Sequence, residues 1–350
     1  MGVRVGVPAH GMGNWGGHER AAQTSMLAQD LVKGLAGVVW APWLFLGLFA
    51  LGSFLLLWRL EAMSHRGFEG TILGALVMPY CSGLGNLIFV FVMLQEQGPG
   101  AEVITNAYVN NLTNLTLLVG LPAWLWGLKL DPACSDTAAQ RRLSVLTTLA
   151  AGFVFTIVAW MQGKDGWIVR GEGLALVSLF LAWQGWHVWE VLRENQRQEG
   201  RLLGWVLLFD LVCLAAGAWL SYVSIQWLVH WILSRTEGWL SAPYLGWLSG
   251  WLLVLPNAVL ALYYAWHGRS EVVYASQVGD GHICIPLCVG LYACIRPLPT
   301  PGVFGTAMAA LCLAFLLHLV AVWRANGLPR WLGLLMVLGY LVCVQHGLPQ

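Results

Sequence analysis

The chain has 350 residues, of which 58% are hydrophobic and only 10% are charged, with a formal net charge of +1. Because a soluble globular domain carries about 25% charged residues, this composition excludes a chain built mainly of water-soluble domains. No basic cluster accompanies the near-neutral charge, so we expect no nucleic-acid partner.

Long uncharged segments separate the few charged residues. There are 25 residues between Lys33 and Arg59 without Lys, Arg, Asp or Glu, and 27 between Arg296 and Arg324. Segments of this length match the roughly 20 residues that a helix needs to cross a bilayer. The apolar runs are continuous and not alternating, which favours helices over a β-barrel. The sequence therefore predicts an all-α integral membrane protein with about ten transmembrane helices, whose main partner is the lipid bilayer.

The distribution of Lys and Arg predicts the orientation. If ten helices alternate, the loops after the odd-numbered helices carry eleven of the eighteen basic residues, which places both termini outside. Residues 1–35 lack the pattern of a cleavable signal peptide and are predicted to be an N-terminal tail. The short loops favour a bacterial inner membrane.

Two halves of the chain, residues 36–193 and 202–347, share weak internal similarity. Pro79 in the second span and Pro256 in the seventh are each followed by a polar residue, and Val119-Gly120 in the third span matches Val289-Gly290 in the eighth. Five spans per half is an odd number, so the halves would have opposite orientations in the membrane, as in transporters with inverted repeats. Chance similarity is the alternative.

Prolines and glycines in these spans predict interrupted helices. Pro79 and Pro256 would release backbone carbonyls one turn earlier, and Gly279 and Gly281 would allow local unwinding. Released carbonyls in a protein-lined cavity can bind ions. The alternative for each proline is a simple kink.

The third span has the strongest polar pattern. Asn106, Asn110 and Asn114 are spaced four residues apart and form one amide stripe, with Asn111 beside it. A stripe of this kind is costly facing lipid, so it favours an oxygen-lined path; a hydrogen-bonded helix–helix seam is the alternative.

The eighth span carries Asp280 between two glycines, and Asp210 in the sixth span is the other acid deep in the predicted bilayer. An intramembrane acid is a candidate cation ligand, and oxygen ligands suit hard cations such as Na⁺ and Ca²⁺. His282 is either a titrating partner of Asp280 or a satisfied buried donor. Together with Cys284 and Cys288 it also allows a soft-metal alternative.

The segments around Pro79, Asn111, Pro256 and Asp280 resemble the repeats of the cation/calcium exchanger superfamily, which includes sodium/calcium exchangers. The family motif Gly-Asn-x-x-Gly-Ser-Asn-x-x-Asn matches residues 105–114 at its three asparagines and residues 275–284 mainly at Gly279; the register of the second match stays open. The resemblance implies a 5+5 inverted repeat, alternating access, and antiport of Na⁺ and Ca²⁺ or another cation driven by a Na⁺ or H⁺ gradient.

Two departures from the family put calcium in doubt. Tyr80 and Asn257 stand where the family has its two ion-binding glutamates. Tight Ca²⁺ sites usually supply two or more carboxylates, whereas Asp280 is the one acid at this site.

We therefore predict a cation site in the middle of the membrane in which Asp280 and Asn111 bind the transported cation most directly. The other predicted residues are amide ligands, hydroxyl ligands and closing donors, namely Asn106, Asn110, Asn114, Asn257, Ser82, Ser276, Tyr80 and His282. We expect no resident cofactor, and no nucleotide, since the chain lacks a Walker loop.

Two other functions are compatible with the sequence. A protein of the same fold that has lost cation exchange would move another solute or act as a structural or interaction partner. An intramembrane enzyme is disfavoured, because the chain has neither a His-Glu-x-x-His helix nor a Gly-x-Ser-x-Gly elbow.

Overall fold

The computed structural model describes residues 38–64, 83–130, 136–195 and 205–348. Nearly all of these residues are helical, and the helices are α1 Ala41–Ser64, α2 Leu84–Gln95, α3 Gly100–Leu112, α4 Val119–Trp126, α5 Asp136–Gly163, α6 Arg170–Asn195, α7 Trp205–Leu233, α8 Leu245–Trp266, α9 Ser270–His282, α10 Gly290–Ile295, α11 Phe304–Ala325 and α12 Arg330–Gly347. Short elements connect them: a 3₁₀ turn at Ala242–Tyr244, π-helical turns at Thr113–Leu118 and Ile283–Val289, and the strands β1 Leu128–Lys129, β2 Trp167–Ile168, β3 Leu298–Pro299 and β4 Gly327–Leu328.

The predicted all-α membrane architecture is confirmed. Six helical segments of the described chain are long and apolar enough to cross a bilayer: Ala41–Met63, Arg142–Gly163, Trp205–Leu233, Ala242–Trp266, Ser270–Ile295 and Phe304–Ala325. The segment from α3 to α4 is more polar, but almost every residue of α3 is buried against protein. A span enclosed by other helices can carry amides that a lipid-facing span cannot.

Two rods with a π-helical centre lie at equivalent places in the two halves. The first runs α3, π turn, α4, and the second runs α9, π turn, α10. Gly100 and Ser270 begin the rods, and α3 and α9 both have 13 residues. The bounds of α3 and α9, and those of β1 and β3, are each offset by 170 residues, so Asp280 corresponds to Asn110 and not to Asn111. The register that the sequence left open is thereby assigned.

The packing of the helices repeats with the same symmetry. α4 packs on α12, whereas α10, its counterpart, packs on α6. β1 pairs antiparallel with β4, and β3 pairs antiparallel with β2. The first helices of the two halves, α1 and α7, pack on each other, as do the fourth, α5 and α11. These exchanges between the halves are those of a 5+5 inverted repeat; the bounds 36–193 and 202–347 stay a prediction.

The predicted helix breaks are wrong in position. α8 continues through Pro256, and Gly279 and Gly281 lie inside α9. One proline removes a single backbone hydrogen bond, which a packed membrane helix tolerates. The departure from α-helical geometry comes three residues after Asp280 and at Thr113 in the other half. Pro79 lies outside the described residues.

Threonine side chains favour the first π turn. The Thr113 hydroxyl donates to the carbonyl of Val109 at 2.7 Å, and the Thr116 hydroxyl donates to that of Leu112 at 2.5 Å. A side chain that bonds the carbonyl four residues earlier competes with the helical backbone bond and bends or widens the helix. In the second π turn, Pro286 has no N–H to donate.

Asp210 belongs to the α1–α7 interface and not to the Asp280 site. Its carboxylate accepts from the Arg59 guanidinium at 3.4 Å, and both side chains are buried. The guanidinium also lies 3.3 Å from the centre of the Trp58 ring. The second intramembrane acid is therefore paired with a cation.

Replacing Asp210 with leucine should destabilise the protein by about 3–5 kcal/mol, because Arg59 would remain buried without its partner. Thermal unfolding of purified protein measures the effect. The double variant Arg59→Leu, Asp210→Leu should recover part of the loss. An additive loss in the double variant would show that the two side chains do not stabilise each other.

Candidate functional site

Asp280 is the centre of a buried polar cluster between four helical elements. Its side chain is 0% exposed. The carboxylate accepts from the amide nitrogens of Asn114 at 2.9 Å, Asn86 at 3.3 Å and Asn257 at 3.4 Å. These three asparagines come from the first π turn, α2 and α8. Four parts of the chain that are distant in sequence therefore meet at one carboxylate.

The amides also bond to each other. Asn110 donates to the side-chain oxygen of Asn86 at 3.2 Å, and Asn114 donates to that of Asn110 at 3.0 Å. The Cys284 thiol lies 3.7 Å from Asn110 Oδ1 and 3.8 Å from Asp280 Oδ1, so its one S–H can donate to either oxygen. The cluster of Asp280, Asn86, Asn110, Asn114, Asn257 and Cys284, hereafter the Asp280 cluster, forms one connected network.

Several amide oxygens in and beside this cluster accept no hydrogen bond within the part of the chain that the structure describes. They are Asn111 Oδ1, Asn114 Oδ1 and Gln277 Oε1, and all three side chains are buried. A buried acceptor without a partner costs free energy, about 1–3 kcal/mol, unless water or an ion occupies it. The site is therefore rich in oxygen acceptors beyond the carboxylate.

The third-span asparagines fall into different environments. Asn110 and Asn114 face Asp280, whereas Asn106 donates to the Ser249 hydroxyl of α8 at 3.0 Å. Asn111 donates to the carbonyl of Ala107 at 2.6 Å, and its oxygen lies against the Cα of Gly281, where a β-carbon would clash. The interpretation of the stripe as an oxygen-lined path fits Asn110 and Asn114. The alternative, a hydrogen-bonded seam between helices, fits Asn106.

Gly281 has a packing role that differs from the predicted unwinding. The absence of a side chain there lets α9 approach Asn111 of α3. Around Gly279 there is open space, with no atom within 4 Å of where a β-carbon would stand.

Asn257 and its neighbours connect α8 to α9. The Gln277 amide donates to the Asn257 carbonyl at 3.2 Å and to the Ser276 hydroxyl at 3.0 Å. Ser276 itself donates to the carbonyl of Val273 at 3.1 Å. Ser276 is thus connected to Asp280 through Gln277 and then Asn257.

His282 is a satisfied buried donor and not a partner of Asp280. Its Nε2 is 2.8 Å from the Thr148 carbonyl on α5, and the ring packs edge-on against Phe155 and Trp183. The prediction that His282 closes the cation site is therefore wrong. Asp280 and Cys284 each lie two residues from His282 in the sequence and belong to the Asp280 cluster. Residues two apart on a helix face different sides, so His282 points away from the cluster.

Two members of the Asp280 cluster were missed from the sequence as site residues. Asn86 is a single amide in an apolar span, with no repeat or motif around it. Cys284 was considered only as a metal ligand, although its position four residues after Asp280 places it on the same helix face. Tyr80 and Ser82, like Pro79, lie outside the described residues, so their predicted roles stay predictions.

The chemistry of the donors is that of a hard cation site with a single negative charge. Among the described residues, no group of three or more His, Cys, Asp or Glu side chains is placed to hold a metal ion. The Asp280 cluster instead offers one carboxylate and several amide oxygens. Such oxygens are the ligands that alkali and alkaline-earth cations prefer.

Comparisons with known proteins agree with this architecture. Residues 38–188 and 209–346 match the family model described as sodium/calcium exchanger protein. A search of curated proteins gave no match. The fold is similar to the sodium-calcium exchanger NCX_Mj soaked with 10 mM Na⁺ and zero Ca²⁺, with a TM-score of 0.63, 20% identity, and coverage of 87% of this chain and 99% of that one. The same exchanger soaked with 2.5 mM Na⁺ and 10 mM Sr²⁺ gives a TM-score of 0.61 at 20% identity, with the same coverage.

Proposed function

The chain belongs to the sodium/calcium exchanger protein family, and on that premise we propose that it is a secondary cation antiporter with its binding site at the Asp280 cluster. The observation that carries the proposal is the fully buried Asp280 carboxylate, which amides from three other elements hold in place. An acid kept inside a membrane protein, away from lipid and among oxygen donors, is suited to bind a cation.

We infer that the protein works by alternating access. Inverted repeats give a transporter two related conformations that open the same central site to opposite sides of the membrane. The symmetric exchange of helix partners, α4 with α12 and α10 with α6, supports such a pair of states. NCX_Mj is described as undergoing extracellular ion exchange and induced binding-site occlusion, and we propose a comparable cycle here.

The energy source is proposed to be a Na⁺ or H⁺ gradient. The positions of the basic residues support an orientation with both termini outside. The short loops support placement in a bacterial inner membrane. Asn110, Asn114, Asn257 and Asn86 are the proposed amide ligands, and Asp280 is the charged ligand.

Exchange by purified protein in proteoliposomes tests the proposal. Vesicles loaded with Na⁺ are diluted into buffer without unlabelled Na⁺. The buffer contains either a trace of ²²Na⁺ or ⁴⁵Ca²⁺. Uptake of at least one label should require the loaded cation and should stop when an ionophore dissipates its gradient. Protein-free vesicles give the background. Uptake at background level for both labels, from protein shown to be folded, would support the alternative that this fold no longer exchanges cations.

A further inference from the structure

We infer that the Asp280 cluster selects monovalent over divalent cations, so that its cargo is an alkali cation of the Na⁺ class and calcium is excluded. This inference rests on the proposed function and specifies its substrate. Three independent features support it: the charge of the site, the oxygens that lack partners, and the residue at position 257.

Among the described residues, the charge of the site is limited to one carboxylate. Asp210 and Asp280 are the only buried acids among the described residues, and Asp210 is paired with Arg59. The second span contributes no further charge, because the sequence has no Asp, Glu, Lys or Arg between Glu69 and Glu96.

The acids at the ends of the two rods are too far away to bind the same ion. Glu102 precedes Asn110 by eight residues and Glu271 precedes Asp280 by nine, which corresponds to roughly 12–14 Å along a helix. Glu102 is also engaged elsewhere, since its carboxylate accepts from the Gly246 backbone N–H at 2.7 Å.

The amide oxygens that accept no hydrogen bond are oriented by the hydrogen bonds that the nitrogens of the same amides donate. The Asn114 nitrogen donates to both Asn110 and Asp280, so its oxygen must face away from those two acceptors. The Asn111 and Gln277 nitrogens are likewise fixed by backbone carbonyls. Asn114, a member of the cluster, and Asn111 and Gln277, which adjoin it, therefore keep neutral oxygens without a protein donor among the described residues. Neutral amide oxygens add ligands without adding charge.

The balance of charge decides between the two classes of cation. A monovalent cation bound to Asp280 gives a neutral site. A divalent cation would leave one uncompensated positive charge buried in the protein, which is unfavourable in a medium that solvates charge poorly. Calcium sites offset this cost with additional carboxylates, which this cluster does not have.

Asn257 marks the place where a second carboxylate would change the selectivity. Its amide nitrogen is 3.4 Å from Asp280 Oδ2, and its side chain is buried. An acid at this position would face Asp280 and give the cluster the two negative charges that balance a divalent cation.

Ion binding by the purified full-length protein in detergent tests the inference. The melting temperature is measured against NaCl or CaCl₂ at constant ionic strength, with N-methylglucamine chloride as the replacement salt, and ²²Na⁺ and ⁴⁵Ca²⁺ binding is measured on the same samples. The wild type should show saturable stabilisation and binding with Na⁺ and no comparable response to Ca²⁺. Asn257→Glu should raise the affinity for Ca²⁺ on the order of tenfold or more. Asn257→Gln, which has the same length without the charge, should not.

Each outcome has a distinct meaning. Tighter binding of Ca²⁺ than of Na⁺ by the wild type, or an equal gain of Ca²⁺ binding in Asn257→Gln, would overturn the inference. Exchange of Ca²⁺ in proteoliposomes would overturn it while leaving the proposed antiport intact. Failure of folded protein to bind or exchange either ion would overturn the proposed function itself.

Discussion

Replacing Asp280 with asparagine should reduce cation exchange to the level of protein-free vesicles, on the order of a 100-fold loss or more. The substitution keeps the size of the side chain and removes its charge, which is the only buried negative charge in the Asp280 cluster. Without it, an entering cation loses its water shell and gains only neutral oxygens. The cost of dehydrating the ion is then no longer offset.

Trans-stimulated ²²Na⁺ uptake measures this loss, and size-exclusion elution and melting temperature establish that the variant is folded. Asp165→Asn is the matched control, because Asp165 lies in an exposed turn, where it accepts from the Trp167 backbone N–H at 3.4 Å. Its exchange rate should equal that of the wild type. If Asp280→Asn kept most of the exchange, Asp280 would not be the charged ligand and the cluster would be a packing network.

The sequence was sufficient for the architecture because a bilayer restricts the chain so strongly. Uncharged segments near 20 residues can cross lipid only as helices, and an odd number of spans per half inverts the second half. The same reasoning identified Asp280, since a carboxylate in such a segment needs a protein environment. These conclusions depend on composition and length, which a single sequence contains in full.

The details of the site could not be predicted in the same way. Asn86 and Asp280 are 194 residues apart and meet because α2 packs on the π turn that follows α9. The sequence around Asn86 gives no sign of this contact. His282 shows the opposite error: it lies two residues after Asp280, yet its direction is set by the Thr148 carbonyl on another helix. Side-chain partners between helices follow from tertiary packing, which periodicity does not specify.

The helix interruption was also placed at the wrong residues. Proline and glycine indicate where an α-helix can be interrupted, but α8 stays continuous at Pro256. The first π turn instead begins at Thr113, whose hydroxyl bonds the Val109 carbonyl and, at 3.0 Å, the Tyr340 hydroxyl of α12. A contact with another helix therefore contributes to a local backbone feature.

Replacing Gly333 with leucine should prevent α12 from packing on α4 and lower the stability of the protein. A β-carbon at Gly333 would stand 2.6 Å from both the Gly120 carbonyl oxygen and the Trp124 backbone nitrogen. Backbone atoms cannot move aside without displacing a whole helix. Overpacking of a well-packed interior costs about 1–3 kcal/mol and more where the neighbour is rigid.

The inverted repeat makes the same prediction for the other half. At Gly173 on α6, a β-carbon would stand 2.8 Å from the Gly290 carbonyl oxygen and from the Cys294 nitrogen on α10. Gly173→Leu should therefore lower the melting temperature by an amount similar to Gly333→Leu.

The same two helices supply the controls. Gly171 on α6 and Gly339 on α12 have no atom within 4 Å of a β-carbon, so Gly171→Leu and Gly339→Leu should leave the melting temperature nearly unchanged. A large loss in only one half would show that the two interfaces are not equivalent in energy, although the helix pairs are equivalent in topology. Equal losses would show that both halves depend on the same close contact, in which the last helix of one repeat packs on the helix after the π turn of the other.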